Sequence, residues 1–214
     1  MATVVASGDN CGDDCHWAYD DESKTLSFTG TGAMYDYTTA QDVHDNEGQE
    51  WAYNRPWINY INEVRNVEIG EGITTTGKYL CAGCIELENL LLPSSLKYVS
   101  LDSFMHTNLQ NVVIPESVES INHEAFLNSR NIQNIYCPYK KKDACQNALE
   151  LSYSEGMLTI YEKNNEGLYI VGNKIYANLH DIVNDKYIPK RIYTIEEAEK
   201  VSKKTGNTFK LRYK

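Results

Sequence analysis

The chain has 214 residues with 42% hydrophobic content, enough for a packed core and too much for a chain disordered throughout. Its net charge is −10, and of its 20 basic and 30 acidic residues 11 and 7 fall in 157–214, leaving 9 and 23 in 1–156. An acidic body lacks the positive potential that phosphates require, which excludes nucleic acid as an expected partner, and no run of about 18 apolar residues offers a membrane-spanning helix.

Met1 to Gly8 lack the basic start and apolar core of a signal peptide, so the sequence reads as a mature or trimmed chain. Cys11 and Cys15 follow. With Cys81, Cys84, Cys137 and Cys145 they make an even set in close pairs, which favours disulfides and an oxidising compartment. A Cys11–Cys15 bridge would close a short loop. His16 to Tyr19 and Leu26 to Phe28 alternate apolar and polar side chains around an Asp-Asp-Glu-Ser turn, as in a hairpin. That hairpin, over 15–37, would lay Trp17, Leu26, Phe28 and Met34 over the start of the next region. Thr38 to Glu50 is polar and reads as a surface loop.

The middle of the chain repeats itself. Val64-Arg-Asn-Val67-Glu-Ile69, Leu87-Glu-Asn-Leu90-Leu-Leu92, Leu109-Gln-Asn-Val112-Val-Ile114 and Ile132-Gln-Asn-Ile135-Tyr-Cys137 follow one another at 23, 22 and 23 residues. Further columns follow: Ile73, Leu96 and Val118, then Val99 and Ile121, then Cys81, Phe104 and Phe126. Alternation such as Val112 and Ile114 puts two apolar side chains on one face of a short strand. Pro93, Pro115 and Pro138 end three of these strands, because proline cannot donate to a ladder. One such unit cannot bury its apolar face alone; stacked units can. The strand centres Glu68, Leu91, Val113 and Tyr136 should point away from the core. They form either a binding stripe or a surface covered by another segment. Asn66, Asn89, Asn111 and Asn134 form a column of amides that can bond backbone or one another between units, a structural ladder.

At this point a family likeness is visible. Ile73 to Leu87, with Cys81-Ala-Gly-Cys84, and Val113-Ile-Pro115-Glu-Ser-Val118-Glu-Ser-Ile121-Asn-His-Glu-Ala-Phe126 resemble the BspA-type leucine-rich repeat of bacterial surface proteins. Leu26 to Tyr37 resembles the hairpin that often precedes such repeats, and Arg55-Pro56-Trp57 the usual lead-in. The likeness covers roughly residues 9–150. It implies a secreted or cell-surface protein of the adhesive or host-contact kind, with no shared catalytic residues and no cofactor. The sequence departs from the pattern at Cys81, where Phe is usual, and at Leu80, where Ala is usual.

After Pro138, Ala144, Cys145, Ala148 and Leu149 share one helical face over Lys141 to Leu149. This helix would close the last unit, fastened by a Cys137–Cys145 bridge. Cys81 and Cys84 are left as either a bridge or two adjacent buried thiols. Residues 157–214 show no repeat. Leu158 to Tyr161, Gly167 to Val171 and Lys174 to Tyr176 read as strands, the last two joined at Gly172-Asn173. Thr194-Ile-Glu-Glu197 opens a helix to about Lys203, and Thr208 to Tyr213 reads as a final strand.

No motif carries chemistry. Cys11, Cys15 and His16 with Cys81 and Cys84 lack zinc-motif spacing. His123-Glu124 has Leu127 where a metalloprotease helix needs histidine. Asp42, Asp45, Asn46, Glu47 and Gly48 misplace the glycine of a calcium loop. The expectation is therefore an α+β, β-rich chain: a short leucine-rich-repeat solenoid with an N-terminal β-hairpin cap and a small C-terminal α+β domain. Its divisions fall at 1–62, 63–150 and 151–214. Functionally it is expected to be no enzyme, to hold no metal or cofactor, and to bind protein or glycan at the strand face. The alternatives are a spacer docking to the cell envelope and an enzyme with its site at the repeat–tail junction.

Overall fold

The computed structural model describes residues 3–37 and 55–186. The loop expected at 38–50, the helix from Thr194 and the strand from Thr208 lie outside the described residues. In chain order the elements are β1 (Val4–Gly8), β2 (Gly12–Asp20), β3 (Thr25–Met34), β4 (Asn66–Ile69), β5 (Ile73–Thr75), β6 (Asn89–Leu91), β7 (Tyr98–Val99), β8 (Asn111–Val113), β9 (Ser120–Ile121), β10 (Asn134–Pro138), α1 (Lys142–Leu151), β11 (Met157–Lys163), β12 (Tyr169–Val171), β13 (Lys174–Tyr176) and α2 (Leu179–Val183). The described residues are β-rich with few helices.

The expected hairpin forms between β2 and β3, with Trp17 opposite Phe28 and Tyr19 opposite Leu26. Gly30 lets the two strands close. Its φ is +120°, and a Cβ there would lie 2.0 Å from the Asp14 carbonyl oxygen. β1, which no periodicity announced, adds a third antiparallel strand beside β2.

β3 then divides its edge between two ladders. Its first half pairs parallel with β4, Leu26 beside Val67 and Phe28 beside Ile69. Its second half pairs with β5. From there the ladders run in parallel, β4 to β6 and β5 to β7 to β9. A further ladder joins β8, β10 and β11. Val67 is in register with Leu90, Val112 with Ile135, and Ile135 with Leu158. Sheet pairing is absent between β6 and β8, which lie in separate sheets of eight and five strands.

The apolar columns are buried as the pattern requires. Val67, Leu90, Val112, Ile135, Ile73, Leu96, Val118, Val99 and Ile121 belong to one core cluster, and the Phe104 and Phe126 rings stack at 5.6 Å. Buried hydroxyls share the core with them. The Thr107 and Ser129 hydroxyls lie 2.9 Å apart, and Ser129 donates to the Phe104 carbonyl at 2.8 Å. Each is thereby satisfied, which an apolar interior demands.

Cys81 sits in the Phe column but is small, and the first unit is filled from outside the repeat. Trp57 packs against Phe28, Tyr37 and Trp17 with ring centroids 4.8, 5.2 and 5.7 Å away. Its indole N–H donates to the Leu80 carbonyl at 3.1 Å. Arg55 is buried beside it and donates to the carbonyls of Ala82, Tyr79 and Leu80 at 2.8, 3.1 and 3.3 Å.

The ladder crosses the boundary expected at 150/151. β11 pairs with β10 over five residues, from Asn134 beside Met157 to Pro138 beside Tyr161. The helix expected after Pro138 is α1, which buries Cys145, Ala148 and Leu149. β12 and β13 form the hairpin expected around Gly172, and the short α2, whose first turn is bonded by the Asn178 side chain, follows unannounced.

Candidate functional site

The strand centres do not form one open stripe. Glu68 is exposed and Leu91 is 36% exposed, but Val113 is 7% exposed and Tyr136 is half-buried. Of the two readings left open for this face, cover by another segment holds at Val113, which is therefore not a free strand-face contact. Val113 belongs to a second core cluster with Tyr161, Tyr169, Tyr176 and Ile182, and Tyr136 packs against that cluster. α2 lies against β8. Tyr161 donates its hydroxyl to the Ile114 carbonyl at 2.6 Å, and burial pushes its pKa up. Tyr176 donates to Asp185 at 2.9 Å, and Lys174 reaches the same carboxylate at 2.7 Å. An apolar stripe on an exposed sheet costs free energy, and the tail removes Val113 and part of Tyr136 from water.

The asparagine column is a ladder in two pieces. Asn89 donates to Asn66 at 2.8 Å and Asn134 to Asn111 at 3.2 Å. Asn66 continues downward to the Ser23 carbonyl at 2.7 Å, and Thr159 donates upward to Asn134 at 3.4 Å. The gap between Asn89 and Asn111 coincides with the gap between the two sheets.

Cys11 and Cys15 are joined by a disulfide. Cys137 and Cys145 are buried free thiols in hydrogen-bond contact, so the bridge expected there is not closed. That contact, together with burial, raises the Cys145 pKa. Cys81 and Cys84 are likewise adjacent buried thiols, the second of the two readings left open, and burial holds Cys81 protonated. Burial also lowers the Arg55 pKa. His16 is exposed and bonds Asp9 at 2.6 Å, which raises its pKa. Among the described residues no group of three or more His, Cys, Asp or Glu is arranged to hold a metal ion, and no helix is long and apolar enough to cross a membrane.

Pattern reading missed the residues that line the clefts. One of about 510 Å³ includes Asn108, Gln110, Asn131 and Gln133. Their signal was present, since both amide types recur at matching repeat positions. Cover of the strand face was among the readings left open, but nothing in the sequence named Tyr161, Tyr169 and Tyr176 as the residues that supply it.

Units of 22 or 23 residues, stacked through parallel strands over one apolar spine, define a leucine-rich-repeat protein. The chain belongs to the BspA-type leucine-rich-repeat family, whose repeat region matches residues 59–183 in 6 copies. The match runs past the last sequence repeat, Ile132 to Cys137, and takes in β11 to α2. Among solved structures, the chain is similar to a leucine-rich repeat protein from Eubacterium ventriosum ATCC 27560, with 18% identity, TM-score 0.35, and coverage of 78% of this chain and 49% of that one. It is also similar to the pneumococcal vaccine antigen PcpA, with 22% identity, TM-score 0.33, and coverage of 35% and 18%. A leucine rich cell surface protein from Faecalibacterium prausnitzii A2-165 matches at 14% identity and TM-score 0.33, covering 80% and 60%. The chain thus spans less than two thirds of the length of each. No curated protein matches it.

Proposed function

We propose that this chain is a non-catalytic recognition module, secreted or held at a bacterial cell surface, that binds a protein or a glycan through the exposed surfaces of its repeats. The observation that carries the reading is the register itself. Successive units hold equivalent side chains at a fixed interval over a continuous core, which presents an extended rigid surface to a partner. In this reading the molecule is a short solenoid. Residues 1–62 cap its start, 63–150 form the repeats with α1 as closing helix, and 151–214 form a tail whose first strand extends the ladder. Glu68 and Leu91 remain as strand-face contacts and Tyr136 as a marginal one. In an oxidising compartment Cys137 and Cys145 lose two hydrogens to a disulfide donor and bond, fastening α1.

The test is binding of the purified, immobilised chain to a panel of extracellular matrix proteins and defined glycans. Saturable binding to at least one member supports the reading, and no binding to any overturns it. The tail folded over Val113 narrows the open strand face, which favours the spacer alternative. Leu91→Ser combined with Glu68→Lys separates the two: lost binding with an unchanged melting curve assigns the strand face, and unchanged binding removes it.

A further inference from the structure

Two adjoining clefts open where each unit turns up into its β4–β6–β8–β10 row. The larger, about 510 Å³, is lined by Asn108, Gln110, Arg130, Asn131, Gln133 and Met157, with Glu155 beside them. The smaller, about 250 Å³, is bounded by Ile85, His106 and Asn128 and shares Asn108, Arg130 and Asn131 with the first. Their linings come from three or more consecutive units, so together they make a groove running along the stack.

The groove's chemistry is unlike the rest of the acidic body. The equivalent edge of the earlier units carries Glu63, Arg65, Glu86 and Glu88; here the positions hold amides. Asn131 donates to Asn108 at 2.5 Å, and within this pair the Asn108 amino group and the Asn131 carbonyl have no partner among the described residues. Gln110 and Gln133 are both exposed, one unit apart. Each unit therefore offers a donor and an acceptor. Neighbouring strands lie about 4.8 Å apart, so these groups recur at that interval along the groove. An extended peptide presents same-side residues every ~6.7 Å and would fall out of step. A pyranose chain carries hydroxyl donors and acceptors on rings that recur close to the unit spacing. Ile85, 56% exposed, and Met157, 65% exposed, lie at opposite ends and offer apolar surface to ring faces. Arg130, common to both clefts, forms no ion pair among the described residues, and its fork suits a carboxylate. Glu155 and the net charge of −10 oppose a dense polyanion.

We infer that this amide-lined groove binds a glycan in which uncharged N-acetylated rings alternate with uronate rings, the uronate carboxylate on Arg130 and the N-acetyl and hydroxyl groups on the paired amides. The inference rests on the recognition role proposed above and names its site and ligand class. The experiment is calorimetric titration of the intact chain with hyaluronan tetrasaccharide, with chitotetraose, heparin tetrasaccharide and an unstructured decapeptide as comparisons. Saturable binding of the hyaluronan tetrasaccharide is expected. It should weaken about tenfold in Arg130→Gln, the loss of one charge-assisted pair, and severalfold in Gln110→Ala/Gln133→Ala. Val5→Ser, on the outermost strand β1, should leave it unchanged. All these positions are exposed, and circular dichroism checks that the variants fold. Absence of hyaluronan binding, equal binding by Arg130→Gln, or tighter binding of heparin or the decapeptide overturns the inference. If hyaluronan fails while another member of the panel binds, the groove assignment falls and the recognition role stands; if nothing binds, both fall.

Discussion

The two ends of the repeat stack are finished by different means. At the start, a hairpin strand joins the ladder in register and two residues from outside the repeat, Trp57 and Arg55, fill the space that Cys81 leaves. At the far end the ladder simply continues into β11, and the chain then folds back so that Tyr169, Tyr176 and Ile182 cover the outer face. The first end is an interior problem, solved by volume and by donors for buried carbonyls. The second is a surface problem, and its solution decides which part of the sheet is open to solvent.

The sharpest break of this comparison is at the start. Trp57→Ala should cost about 3–5 kcal/mol, the range for a large aromatic removed from a core. Arg55→Met should cost less, ~1–3 kcal/mol, because the buried Ala82 carbonyl loses its donor while Leu80 keeps the Trp57 indole N–H and Tyr79 the Ala82 N–H. Urea denaturation measures both. A loss under ~1 kcal/mol at either position would mean that the leading unit is not packed as described.

At the far end, paired substitutions set covered against open positions on one face. Val113→Ser should cost ~2 kcal/mol and loosen the tail, whereas Leu91→Ser should stay within about 0.5 kcal/mol. Limited proteolysis should cut the Val113 variant faster, between α1 and β13. Equal behaviour of the two would mean that the tail does not dock. Tyr161→Phe, which removes the bond to Ile114, should cost ~1 kcal/mol.

The smallest effect concerns Asp102, between the ends. Burial, aided by Glu124, raises its pKa. A raised carboxyl pKa stabilises the fold below the unfolded value and loses that contribution as pH rises through the folded one. Asp102→Asn should therefore raise the melting temperature at pH 7 and have no effect near pH 3. Asparagine also tolerates the φ of +51° found there. A melting temperature lowered at pH 7 would contradict the burial argument.

The interior was readable because a period of 22 or 23 with paired apolar positions has one packing solution. Val67, Leu90, Val112 and Ile135 are buried where the pattern put them, and the asparagine column bonds as a ladder. The ends were less readable. β1 has no strong alternation, and α2, only five residues long, carries no helical period. The cover over Val113 stayed one of two open readings because a strand's outer side looks the same in sequence whether water or another segment lies on it. The groove depends on loops being brought one unit apart, which appears as adjacency only after the stack is built.

The central claim is that parallel ladders in register over one apolar core carry the stack from the hairpin through the repeats and past residue 150. Solution NMR tests it through cross-strand contacts between amide and α protons. Contacts linking Leu26 with Val67, Val112 with Ile135 and Ile135 with Leu158 are expected in the register described. Contacts in another register, or none between Ile135 and Leu158 while the 157–163 amides exchange freely, would contradict it.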